Sequence, residues 1–220
     1  MHFQFLIEDA SSTVLIQLLM RRFSAEYSGV TFDCKPFKGL GGLTKRNTVK
    51  ETKTGKLLND LATYLRGFDK SLRDYDAVVM VVLDNDTRNT DEFMSSLEDI
   101  ASQHRIQIDH AFCIAVEEVE AWLLGDEAAV RAAYPSAKTS VLHRYRQDSI
   151  CGTWETLADA VFPGGMAAMR KKKFSFVEIG KCKSEWAKNI GEHMDIDANR
   201  SPSFRHFIEE IKRRLHNTTP

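Results

Sequence analysis

Apolar positions along the chain switch repeatedly between a period of two and a period of 3.6, and the switches predict alternating strands and helices over residues 1–125. Phe3 to Ile7 reads as a first strand ending at Glu8-Asp9. Val14, Leu15, Leu18, Leu19 and Phe23 then recur at helical spacing, with Ser11 or Ser12 as the expected cap. Val30 to Phe37 alternates as a second strand and runs into a glycine-rich turn, Lys38-Gly-Leu-Gly-Gly-Leu. Leu57, Leu58, Leu61, Leu65 and Phe68 outline a second helix, closed by Gly67 or the residues after it. Ala77 to Leu83 is an unbroken apolar run ending at Asp84, as expected of a strand buried on both faces inside a parallel sheet. Asp91 to His104 reads as a helix, Ile108 to Val116 as a fourth strand, and Glu117 to Asp126 as the start of another helix.

This alternation predicts an α/β fold with a mostly parallel four-stranded sheet flanked by helices. Beyond Tyr134-Pro135 the strand signals stop, and short helices lead to a last one from Ser203 to about Leu215, opened by Ser201-Pro202. The expected organisation is an α/β domain over residues 1–130 with a helical C-terminal extension, 131–220, packed on it. With 220 residues, 43% of them hydrophobic, the chain can bury a proper core. Its formal net charge of -1 argues against a wholesale nucleic-acid coat, so local basic patches matter more. Two stand out: Lys45, Arg46, Lys50, Lys53 and Lys56 in a polar segment expected to be a mobile loop, and Arg170-Lys171-Lys172-Lys173. The scattered cysteines suit reduced thiols. With no signal-peptide pattern and no apolar run of about 20 residues, the expectation is a soluble, cytoplasmic protein without a membrane span.

The chemistry concentrates at strand ends. If the extended conformation persists through Asn85, Asp84 and Asp86 point to one side and offer two hard oxygen ligands suited to Mg²⁺ or Mn²⁺. The alternative is an ordinary polar turn. In a parallel sheet, Glu8 and the acids after the fourth strand, Glu117, Glu118 and Glu120, reach the same edge as Asp84. Carboxylates so close would repel one another unless a divalent cation neutralised them, which favours the metal reading. Glu8, Glu117 and Glu118 also precede helices, where acidic residues are favourable for a simpler reason. The glycine-lysine pairs at residues 39–45 and 54–56 do not follow a phosphate-binding-loop template. The histidines show no metal spacing, and no nucleophile elbow is present.

Glu8 after an apolar strand, followed by Asp84-Asn-Asp86 after another, resembles the TOPRIM pattern of topoisomerases, primases and OLD-type nucleases. Ala115-Val-Glu-Glu-Val-Glu-Ala-Trp-Leu-Leu-Gly-Asp126 and Asn199-Arg-Ser-Pro-Ser-Phe-Arg205 resemble a narrower bacterial family of TOPRIM-like proteins, often linked to ABC-type ATPases in phage-defence loci. The resemblance implies a TOPRIM-like domain in which Glu8 is a metal ligand or the proton-transferring group and Asp84 and Asp86 are the metal-binding pair. It further implies that Glu118 and Glu120 supply a later acidic motif for a metal, and that Lys183 stabilises phosphoryl charge. The chain departs from the pattern at Asp9, where glycine is usual, and at Ser12, where related nucleases often have an acid.

Two functions follow from that resemblance. One is a Mg²⁺- or Mn²⁺-dependent nuclease acting on DNA or RNA, with the basic segments guiding the backbone and an ATPase partner or a second copy of the chain assisting. The other is a catalytically weak binding subunit of an ATPase complex, favoured by Asp9 and Ser12, with Trp154 and Trp186 on the docking surface.

Overall fold

The computed structural model describes residues 1–41 and 56–216. Its first half is β1 (His2–Ile7), α1 (Ala10–Glu26), β2 (Thr31–Pro36), α2 (Leu57–Leu72), β3 (Ala77–Asp84), α3 (Thr90–Gln103) and β4 (Asp109–Ala115). The strands form one all-parallel sheet in the order β2-β1-β3-β4. Ile7 lies level with Val82, and Asp84 with Ala115, so β1, β3 and β4 all end along one edge. The helices flank this sheet, giving the expected α/β architecture.

Period-two alternation separates two cores. Phe3, Phe5, Ile7, Val78, Met80 and Val82 face α1 on one side. Leu6, Val79, Val81 and Leu83 face α2 and α3 on the other. Every residue of β3 is buried, as its unbroken apolar run requires.

The remainder is helical: α4 (Glu120–Leu124), α5 (Glu127–Ala133), α6 (Thr139–Leu142), α7 (Thr153–Val161), α8 (Gly165–Lys171), α9 (Phe176–Gly191) and α10 (Pro202–His216). These helices belong to the core on the α1 face. α9 packs along α1, and α10 returns to β4. Gly191 makes the first contact possible, because a Cβ there would lie 2.9 Å from a Leu15 methyl. The α10 contact is aromatic: Trp122 stacks on Phe207 at 4.9 Å, and Phe207 meets Phe5 at 6.3 Å. At the far end Arg214 grips Asp109 through two bonds of 2.6 and 2.8 Å.

Several local expectations are corrected. The cap of α1 is Asp9, whose carboxylate accepts from the Ser12 amide and the Ser11 hydroxyl. Of the two ends expected for α2, the residues after Gly67 are the ones observed, since the helix continues to Leu72. The helix expected from Glu117 begins only at Glu120, because Glu117 turns left-handed at φ 62. Trp186 is buried and therefore part of the core rather than of a docking face, whereas Trp154 is half-buried against the same core.

Phe207→Ala removes the ring that joins α10 to Trp122 and the sheet. It should cost about 3–5 kcal/mol in chemical denaturation. A loss below about 1 kcal/mol would show that α10 is peripheral.

Candidate functional site

Three strand ends and one distant helix build the site. Glu8 follows β1 directly, and its amide donates to Val82 O at 3.1 Å. Its carboxylate accepts from the Asp84 amide at 2.9 Å. Asp84, the last residue of β3, is 5% exposed and accepts from the Val119 amide at 3.1 Å. Glu118 and Glu120 lie just beyond β4. Two turns into α9, Lys183 places its ammonium 3.1 Å from Glu120 and 3.5 Å from Glu118. The Glu120 oxygen it faces is buried and has no geometrically acceptable hydrogen bond, so the ammonium is its counter-charge.

Asp84 and Asp86 do not present a pair on one side. Extended backbone stops at Asp84, and Asp86 is left-handed at φ 50. Asn85, fully buried, forces the turn. Its side chain donates to Arg88 O and the Thr90 hydroxyl and accepts from the Glu117 amide. Asp86 therefore sits on the rim, 55% exposed and paired with Arg88 at 2.6 Å. Sequence reasoning passed over Asn85, although an amide between a buried strand and a helix start was a usable signal.

Glu117 belongs to a different structure. It accepts from the amides of Cys151, Gly152 and Thr153 and from the Thr153 hydroxyl at the start of α7. Burial opposes its charge, but these donors win and lower its pKa. Its neighbours shift the other way. Burial, with Asp9 and Asp86 adding to it, pushes Glu8 up to about 7. Glu118 is likewise raised to about 7 by burial, against the pull of Lys183. Burial and the nearby Glu8 raise Asp84 well above the carboxylate range, and burial raises Glu120. For Lys183 burial disfavours the charge, but Glu120, Glu118, Asp84 and Asp9 outweigh it and raise the pKa. Among the described residues, one ammonium faces four buried or half-buried carboxylates, which leaves that part of the site short of positive charge.

That deficit, with donors that are all hard oxygens, fits Mg²⁺ or Mn²⁺ in chemistry. Among the described residues, no three His, Cys, Asp or Glu side chains are already gathered as a ligand set. Lys183 fills the Glu118–Glu120 side and Arg88 pairs with Asp86, so Glu8 and Asp84 are the residues that would hold a cation. Lys45, Arg46, Lys50 and Lys53, with most of the expected mobile loop, fall outside the described residues. Lys56 precedes α2 and donates to Lys38 O. Lys171, Lys172 and Lys173 are exposed at the end of α8, and Lys172 lies 5.9 Å from the Phe162 ring.

The fold and site define an α/β protein that gathers an acid–lysine cluster at the carboxyl edge of a parallel sheet. The chain belongs to the family described as a domain of unknown function (DUF4276), which matches residues 8–212. No curated protein and no solved structure matches it. Among the described residues, no helix is long and apolar enough to cross a membrane.

Because the Glu8 and Glu118 pKa values rise on folding, the folded protein binds more protons than the unfolded chain between about pH 4.5 and 7. Stability without divalent cations should therefore fall as pH rises through that window. Glu8→Gln should flatten the fall, as read by thermal melting in chelator; an unchanged slope would clear Glu8 of that role. Lys183→Met strands buried carboxylates and should cost about 3–5 kcal/mol at pH 8, and less at pH 5, where Glu118 holds a proton. Equal losses at both pH values would refute the pairing.

Proposed function

We propose that the protein is a TOPRIM-type, divalent-metal-dependent nuclease that hydrolyses phosphodiesters of DNA or RNA. The observation that carries this reading is the meeting of Glu8, Asp84 and the Glu118–Glu120–Lys183 group along one sheet edge, where open α/β sheets bind ligands. A bound Mg²⁺ or Mn²⁺ would supply charge neutralisation at the scissile phosphate and a more acidic water. Glu8, held beside Asp84 by its amide, would serve either as a ligand to that cation or as the acceptor of a proton from the attacking water. Asp84 is oriented by the Val119 amide and Glu8 by the Asp84 amide, so both acids are held before substrate arrives. The Lys183 ammonium sets the local potential against which phosphoryl charge develops. A cytoplasmic setting, within a phage-defence system and with an ABC-type ATPase partner, is part of the proposal. The four cysteines are all unpaired, in keeping with that compartment.

A second reading, a binding subunit of an ATPase complex with weak chemistry, draws on two observations. No ready ligand trio exists among the described residues, and Asp9 is committed to capping α1.

Incubation of single-stranded and duplex DNA and RNA with purified protein and Mg²⁺ or Mn²⁺ separates the two. Nuclease activity should appear, and Asp84→Asn, which keeps the acceptor for Val119, should lower it by about 10²–10³-fold. The same variant should lose the Mn²⁺-induced rise in melting temperature. Uncut substrates together with a melting temperature indifferent to metal would leave the adaptor reading standing.

A further inference from the structure

Phe176 is 94% exposed and Val177 69% exposed, yet they form the first turn of a well-anchored helix. Ser175 accepts from the Glu178 amide while the Glu178 carboxylate accepts from the Ser175 amide, a reciprocal cap that holds this turn in place. An ordered phenylalanine facing water gains nothing from packing within the chain. Immediately before it, Arg170, Lys171, Lys172 and Lys173 are exposed and form no ion pair among the described residues. Phe174 packs on Phe162 at 5.6 Å and fixes the turn between α8 and α9, so the cations and the ring are held side by side.

α9 carries this corner to the acidic site. Phe176 and Lys183 are seven residues apart, hence on one face and about 10 Å apart along the axis. Gly180 lies between them, with nothing within 4 Å of where a Cβ would stand. The helix face is therefore open at Gly180, between the exposed ring and the largely buried lysine.

We propose that this corner binds single-stranded nucleic acid, Phe176 stacking on an unpaired base while Arg170 and Lys171–Lys173 meet phosphates and direct the strand toward Lys183. The charge is complementary to a phosphate backbone, and an exposed ring supplies the stacking that sequence-independent single-strand binding uses. A duplex, whose bases are already stacked, gains nothing from Phe176. The strand's direction rests on the nuclease reading; its binding does not.

Fluorescence anisotropy of the full chain in chelator, with labelled oligo(dT), oligo(U) and a duplex of equal length, tests this without cleavage. Phe176→Ala should weaken single-strand binding by roughly 5- to 100-fold with the salt slope intact. The Lys171→Ala/Lys172→Ala/Lys173→Ala variant should lower that slope by about 2. The tighter of oligo(dT) and oligo(U) names the strand. Unchanged melting temperatures for both variants exclude misfolding. Binding that ignores Phe176→Ala, or a duplex preferred over both strands, overturns the proposal, as does Phe176-dependent binding to phosphatidylserine vesicles without strand binding. Strand binding lost in Phe176→Ala in a protein that never cuts upholds this corner and removes the nuclease reading. Cutting that proceeds with Phe176→Ala binding like the parent does the reverse.

Discussion

Burying several carboxylates against the Lys183 ammonium, the one cation that meets them among the described residues, is the constraint around which the strand ends are arranged. Removing such groups from water is costly, and one cation cannot neutralise them all. Backbone donors offset part of that cost. Glu8 receives the Asp84 amide, Asp84 the Val119 amide, and Glu118 the Trp154 amide. These bonds also tie β1 to β3, β3 to the turn after β4, and that turn to α7. The remaining imbalance emerges as raised proton affinity, the property that makes the edge a place for a cation or a proton.

The ammonium arrives from far along the chain, so the helical third completes the site. α9 is pressed against α1 where Gly191 allows contact with Leu15, and Arg22 donates to the Gly191 and Met194 carbonyls. This joint sets where Lys183 falls. One hydrophobic cluster runs from Phe3 through Trp122 and Trp186 to Leu215, so the sheet face and the later helices share a core.

The two strings that carried the family resemblance meet in space, and their meeting is mechanical. Asn199 donates to Trp122 O, the Trp122 indole donates to Ser203, and the Arg200 amide donates to Gly125 O. Gly125 must lack a side chain, because a Cβ would stand 2.1 Å from the Asn199 oxygen. Asp148 accepts from Ser201 and Ser203 and closes the joint. Such a lock gives these residues a mechanical task in the fold. Of the glutamates beside it, only Glu118 and Glu120 face Lys183, while Glu117 caps a helix.

Hydrophobic rhythm alone determined the alternating elements, the doubly buried β3 and the edge to which Glu8, Asp84, Glu118 and Glu120 come, because periodicity and parallel topology are local and general. The sequence by itself could not say that Asp86 turns to the rim, since that depends on Asn85 being clamped by residues after β4 and before α3. Nor could it separate Glu117 from Glu118, adjacent residues sent to opposite tasks by a left-handed backbone. Lys183 was singled out only through the family resemblance, and its carboxylate partners were not legible. Its role was decided by the packing of α9 on α1, a contact between segments more than a hundred residues apart, where side-chain charge matters only once water has been excluded.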